Sequence, residues 1–144
     1  MNKLNEQRIF MSIFHLANRM QVEGDKLSDE LTLKQWFFLY LLYQGGIENP
    51  TLKDIAQMMG VTRQSAKKMT NILEREGYLT VSKSEKDSRA LCIHPTEKAK
   101  TFFKRNKQLG GKLLVRAFEN IDEQELIDTL VVLEKVQSNL SEEE

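Results

Sequence analysis

Between Thr62 and Arg75, side chains that donate and accept hydrogen bonds recur along one face of a helical pattern. At about 100° per residue, Gln64, Lys67, Lys68, Asn71 and Arg75 fall opposite the apolar face formed by Ala66, Met69 and Leu73. Asn and Gln amides can bond adenine through two contacts at once, while Lys and Arg suit the acceptors of guanine or a phosphate. Most polar clusters of this kind are simply solvated helix faces. An ordinary exposed helix, however, mixes charge signs for i,i+4 pairing, and this face meets no acid before Glu74. The chemistry on offer is the reading of duplex base edges. Gln64, Lys68 and Asn71 are the expected base readers, and Arg63, Lys67 and Lys53 the expected phosphate contacts. Thr62 and Ser65 add hydroxyls at the helix start.

A face like this works only if two elements aim it. The first is a helix-turn-helix across 51–77. A short helix capped by Thr51 and Asp54 runs to Gly60, which tolerates the positive φ of a tight turn, and Thr62 can then cap the second helix. Ala56 supplies the small residue where the helices meet, and Ile55 and Met59 the core side of the first. The second element is a β-hairpin. Leu79 and Val81 alternate with polar residues before the stretch SEKDSRA (84–90), and Leu91 and Ile93 alternate after it. That tip contains no Gly, Pro or Asn, and it reads as a wing extending beside the helix. Lys83, Lys86 and Arg89 can reach phosphates or a narrow minor groove. Asp87 would repel phosphate, so its expected role is to pair with the Arg89 guanidinium and orient it.

The remaining chain reads as helix. Apolar residues recur from Asn5 to Met20 in an unusually wide arc, which predicts a helix covered on two sides. Capping boxes open at Thr32 (with Gln35) and at Asp122 (with Glu125), and Gly45-Gly46 suits a helix stop. A long helical pattern spans Thr96 to Phe118, with Gly110-Gly111 expected to bend or weaken it. The expected architecture is mainly α: a winged-helix lobe over 31–95, with dimerisation helices over 1–30 and 96–144 in one single-domain protomer. The hairpin is the sole expected β element. Long apolar helices at both ends predict a two-fold homodimer, hence a pseudo-palindromic duplex site with half-site centres about 10 bp apart.

Net charge is zero, but its distribution is uneven. Residues 51–105 hold twelve Lys/Arg against six Asp/Glu, and residues 106–144 hold four against nine. The basic middle is therefore the anion-binding candidate. Cys92 is the only cysteine, which excludes an intrachain disulfide. It reads as a packing residue, although a thiol-responsive reading remains. With His94 and the distant His15 it makes a poor metal set, so no metal or cofactor is expected. Nothing matches a nucleophile elbow, P-loop or dinucleotide fingerprint, which argues against an enzyme. No signal-like or membrane-length apolar run is present, so a soluble cytoplasmic protein without a membrane partner is expected. A winged helix that binds protein instead of DNA is the competing reading. It predicts a neutral or apolar recognition face.

These pieces resemble the MarR family of winged-helix transcriptional regulators. The resemblance rests on LTLKQWFFLYLL (31–42), IAQMMGVTRQSAKKMTNILEREGYLT (55–80) and DSRAL (87–91). It implies that Asp87 positions Arg89 in the minor groove. It also implies a repressor released by a small, often aromatic or anionic, effector. Phe14, His15 and Trp36 are candidate contacts for such a molecule. One departure is HPTEKA (94–99), which has Pro95 and Ala99 where the family commonly has Leu and Gly.

Overall fold

The structure, a computed structural model, describes residues 3–141. It divides into two compact units, residues 1–110 and 111–144.

The first unit opens with α1 (Lys3–Asp25), of which only Gly24 is buried. Asp25 Oδ1 accepts the Leu33 N–H at 2.7 Å, tying the end of α1 to the start of α2 (Leu33–Gln44). The Thr32 box forms as its spacing predicts: Gln35 N–H donates to the Thr32 hydroxyl and the Gln35 side chain accepts the Thr32 N–H. α2 stops at Gly45, and Gly46 takes the left-handed conformation at φ 72°. α3 (Leu52–Met59) and α4 (Arg63–Arg75) follow, then β1 (Leu79–Lys83) antiparallel to β2 (Leu91–Pro95), then α5 (Glu97–Arg105).

The core lies among these elements. Phe38 and Leu39 of α2, Ile55 of α3, Leu73 of α4, Leu79, Ile93 and Phe102 are all essentially inaccessible. Burying one such Leu, Ile or Phe side chain contributes about 1.5–3 kcal/mol, so this cluster is the dominant favourable term in holding α4 on its support. The apolar alternation of the hairpin is buried only at its base. Leu79 and Ile93 are enclosed, whereas Val81 is half-buried and Leu91 is exposed as the strands leave the body.

The hairpin is the only sheet among the described residues, as expected, and one isolated bridge adjoins it: Thr51 pairs with Cys92, and Ile93 N–H donates to Pro50 O at 3.0 Å. That segment lines the outer edge of β2, and both Cys92 and Ile93 are buried although they alternate along the strand. The long helix over 96–118 is broken, and not at its glycines. α5 ends at Arg105, and Asn106 turns its amide back onto Phe102 O at 3.0 Å. Gly110 and Gly111 then sit inside the next helix, α6 (Leu109–Ala117). Phe102 O also accepts the Asn106 backbone N–H at 3.0 Å, so both donors of Asn106 close the helix end on one carbonyl, without any glycine.

The second unit holds the rest of α6 and α7 (Glu123–Leu140). Asn120 turns between them at φ 61°, and the Asp122–Glu125 box caps α7 as expected. Leu114, Val115, Leu130, Val132 and Leu140 of this unit are exposed apolar residues. No helix among the described residues is long and apolar enough to cross a membrane.

Candidate nucleic-acid interface

Both helices of the motif end in the same way. Gly60 is left-handed at φ 69°, donates its N–H to Gln57 O at 3.1 Å, and is followed by Val61 N–H donating to Ala56 O at 3.0 Å. Gly77, at φ 82°, repeats the pattern with Glu74 O at 3.0 Å and Tyr78 N–H to Leu73 O at 2.9 Å. Each is a paired carbonyl cap that only a residue free of a β-carbon adopts cheaply. The first turns α3 into α4, and the second turns α4 into the hairpin. Ala56 is buried, as the close approach of the helices requires.

α4 presents the expected faces. Ala66 and Leu73 are buried and Met69 is half-buried, while Arg63, Gln64, Ser65, Lys67, Lys68, Asn71 and Arg75 are exposed. Thr62 caps the helix: Ser65 N–H donates to its hydroxyl at 3.1 Å, and that hydroxyl donates to Ser65 Oγ at the same distance. Those two side chains therefore set the helix start, where α4 has no acid in its first turn. The exposed N–H groups and the helix dipole there favour an anion. Lys53 is exposed on the first turn of α3.

The hairpin tip explains its own composition. Ser84 Oγ accepts the N–H groups of Lys86 (3.2 Å) and Asp87 (3.4 Å), and Asp87 Oδ1 accepts the Arg89 N–H at 3.0 Å. Ala90 N–H donates to Asp87 O, and Ser84 N–H to Ala90 O, each at 3.0 Å. Two side-chain-closed turns replace the Gly or Asn of a tight hairpin. The expected pairing of Asp87 with the Arg89 guanidinium is corrected here: among the described residues no ion pair joins them, and the carboxylate holds the Arg89 backbone instead. An i,i+2 carboxylate reaches the amide more readily than the end of a long side chain, which stays exposed beside Lys83 and Lys86.

Several residues at this site carry no signal that sequence reading picked up. Thr70 is buried on the core face of α4, where its hydroxyl donates to Ala66 O at 2.8 Å. The turn after α4 is clasped from outside the motif. Thr96 Oγ1 donates to Gly77 O at 2.6 Å, which is why this N-cap makes no side-chain cap of its own. Lys98 Nζ donates to Glu76 O at 2.7 Å and lies 4.4 Å above the Tyr78 ring. Tyr78 O–H donates to Glu30 Oε2 at 3.1 Å, and Arg105 pairs with the same carboxylate at 2.9 Å. Burial, followed by the Glu30 carboxylate, pushes the Tyr78 phenol up to about 12.

The candidate effector contacts make separate ring contacts. Phe14 is exposed and packs on Phe10 at 5.1 Å, and His15 is exposed on the same helix. Trp36 stacks on Tyr40 at 5.1 Å and meets Phe103 edge-on at 6.3 Å. Among the described residues no ring contact joins Phe14 or His15 to Trp36.

A capped helix, a glycine turn, a second helix with a polar outer face and a hairpin beside it define a winged helix-turn-helix, the architecture of a transcriptional regulator. The comparisons agree. The MarR family model matches residues 31–91. The chain is 29% identical over 119 residues to an uncharacterised HTH-type transcriptional regulator, YfiV of Bacillus subtilis, covering 79% of this chain and 72% of that one. Its fold is similar to that of a MarR/EmrR family regulator from Acinetobacter sp. ADP1, with a TM-score of 0.81 at 16% identity, covering 94% and 96% of the two chains. It is also similar to S. aureus MepR in a complex with DNA, with a TM-score of 0.78 at 20% identity, covering 98% and 100%. The MarR family model thus matches the winged-helix segment of this chain, and the relatives it resembles are named transcriptional regulators.

Proposed function

We propose that the protein is a homodimeric, ligand-responsive repressor that binds a pseudo-palindromic duplex operator in the cytoplasm. The observation that carries this reading is the outer face of α4: Gln64, Lys67, Lys68, Asn71 and Arg75 exposed together, on a helix whose sole acid is Glu74, beside a cationic wing. A protein-binding winged helix would need a neutral or apolar face there. α4 enters the major groove. Gln64, Lys68 and Asn71 read base edges, while Arg63, Lys67, Arg75 and Lys53 hold phosphates. Thr62 and Ser65 present the helix N-terminus, and the Asp87-closed turn delivers Lys83, Lys86 and Arg89 to the backbone or minor groove.

Dimerisation through residues 1–30 and 96–144 is supported by apolar surface that one chain leaves open. Phe10, Phe14 and Leu16 are exposed on α1, as are Leu130 and Val132 on α7. Large apolar residues left exposed along each of these helices support a partner interface. An effector that prefers one separation of the two recognition helices would lower operator affinity by roughly 5- to 150-fold, from a coupling of about 1–3 kcal/mol. Light scattering combined with fluorescence anisotropy on duplex DNA tests the proposal. A dimer whose affinity falls steeply with added salt is expected. A monomer at micromolar concentration, or no duplex binding at low salt, refutes it.

A further inference from the structure

Glu74 is the one acid on α4, and its place is awkward for a DNA-reading helix. Seven residues after Lys67, it lies within about 20° of that side chain around the helix, and so on the outward face. A carboxylate there repels phosphate and would weaken binding unless it does something else. The structure shows what it does: Glu74 Oε2 accepts the Val81 N–H at 3.1 Å.

The phase of the β-ladder gives that bond its meaning. Ser84 N–H donates inward to Ala90 O, and in an antiparallel pair inward and outward N–H groups alternate. With Val81 opposite Ile93, both of their N–H groups therefore point away from the partner strand. Ile93 donates outward to Pro50 O at the start of α3, and Val81 donates outward to Glu74 near the end of α4. The wing is pinned on one edge to the first helix of the motif and on the other to the recognition helix. Beyond the Val81–Ile93 pair only Cys92 is still buried, while Ser82, Lys83 and Leu91 are exposed as the hairpin leaves the core. Among the described residues, the Glu74 bond to Val81 joins the β1 side of the wing to α4.

The geometry points to Glu74 as a positioning residue that sets the distance of the wing from the recognition helix, so that Lys83, Lys86 and Arg89 meet the duplex while α4 is in its groove. This rests on the DNA-binding reading above. It inverts the electrostatic expectation: removing a negative charge from a DNA-facing surface should tighten binding, whereas removing a strut should loosen it.

The experiment measures duplex affinity across a salt series for E74A, E74Q and E74D. Each is made in the wild-type chain and in a chain whose wing is stripped by K83A/K86A/R89A, and circular dichroism verifies folding. E74A should weaken binding about tenfold, and the dependence of log affinity on log salt should become shallower by about 0.9 for each wing cation that leaves its phosphate. E74D keeps the charge but shortens the reach, so it should weaken binding in the same sense and serves if E74A does not fold. The Gln amide oxygen accepts the same N–H, so E74Q should recover the affinity that E74A loses. In the stripped chain E74A and E74D should cost nothing, because the wing has nothing left to position. E74A or E74D binding as tightly as wild type or tighter overturns the assignment, as does equal damage in both backgrounds. Wild-type protein with no duplex affinity would remove the DNA-binding reading and this inference together.

Discussion

Replacing Tyr78 by Phe removes one hydroxyl and leaves the packing intact. The ring stays against Phe102 at 6.3 Å and beneath Lys98, in a site where the residue is 3% exposed, so no cavity forms. What is lost is the O–H donated to the Glu30 carboxylate. A hydrogen bond to a charged partner contributes about 1.5–3 kcal/mol, but the Glu30 side chain is 41% exposed and keeps its pair with Arg105. A loss of about 1 kcal/mol follows, or roughly 2–4 °C in Tm for a chain near 150 residues. The pH dependence gives the sharper signature. Folding raises the phenol from 10.0 to about 12, chiefly by burial and then by the Glu30 carboxylate. The folded state thus prefers the protonated phenol more strongly than the unfolded state does. The resulting stabilisation is complete below pH 10.0 and is lost as pH rises through about 12. Thermal melts of wild type and Tyr78→Phe at one protein concentration should show a constant gap at neutral pH that closes in strong alkali. A variant as stable as wild type, or a gap unchanged beyond the upper value, would refute the role given to this hydroxyl.

Gly60→Ala forces a β-carbon into a left-handed turn and should cost on the order of 1 kcal/mol, read as a lower denaturation midpoint with an unchanged m-value. Leu73→Ala empties a fully buried site that holds α4 on its support, so chemical denaturation should report a loss of about 2–5 kcal/mol. Arg63→Ala should weaken binding equally on all duplexes and reduce the salt slope by about 0.9, as measured by anisotropy on two unrelated sequences.

The parts of this molecule legible in its sequence are those whose physics is local. A capping box needs only residues three apart, and those at Thr32, Thr51 and Asp122 all form. The Gly60 turn and the Thr62 cap are likewise set within a few residues, and helical periodicity alone sorts Ala66 and Leu73 from Lys67 and Lys68. Long-range contacts were invisible. Tyr78 meets Glu30 across 48 residues and Arg105 meets the same carboxylate across 75, separations at which no spacing rule operates. The Thr51 bridge to Cys92 is of the same kind. The break at Asn106 misleads for another reason: two glycines nearby are the stronger apparent breakers, yet the helix ends at Asn106, whose backbone N–H and side-chain amide both donate to Phe102 O. Asp87 was legible as a positioning residue but not in its partner, because spacing places the carboxylate near both the amide and the guanidinium of Arg89.

The central claim is that the outer face of α4 reads bases. It is tested most directly by selecting bound duplexes from a random pool with wild-type protein and with Lys68→Ala. Wild type should enrich an inverted repeat with half-site centres about 10 bp apart, and Lys68→Ala should enrich the same spacing with altered preference at symmetric positions in each half. Failure of wild type to enrich any sequence would contradict the claim. So would a Lys68→Ala pool with an identical motif and uniformly weaker binding, which would make that lysine a phosphate contact and not a base reader.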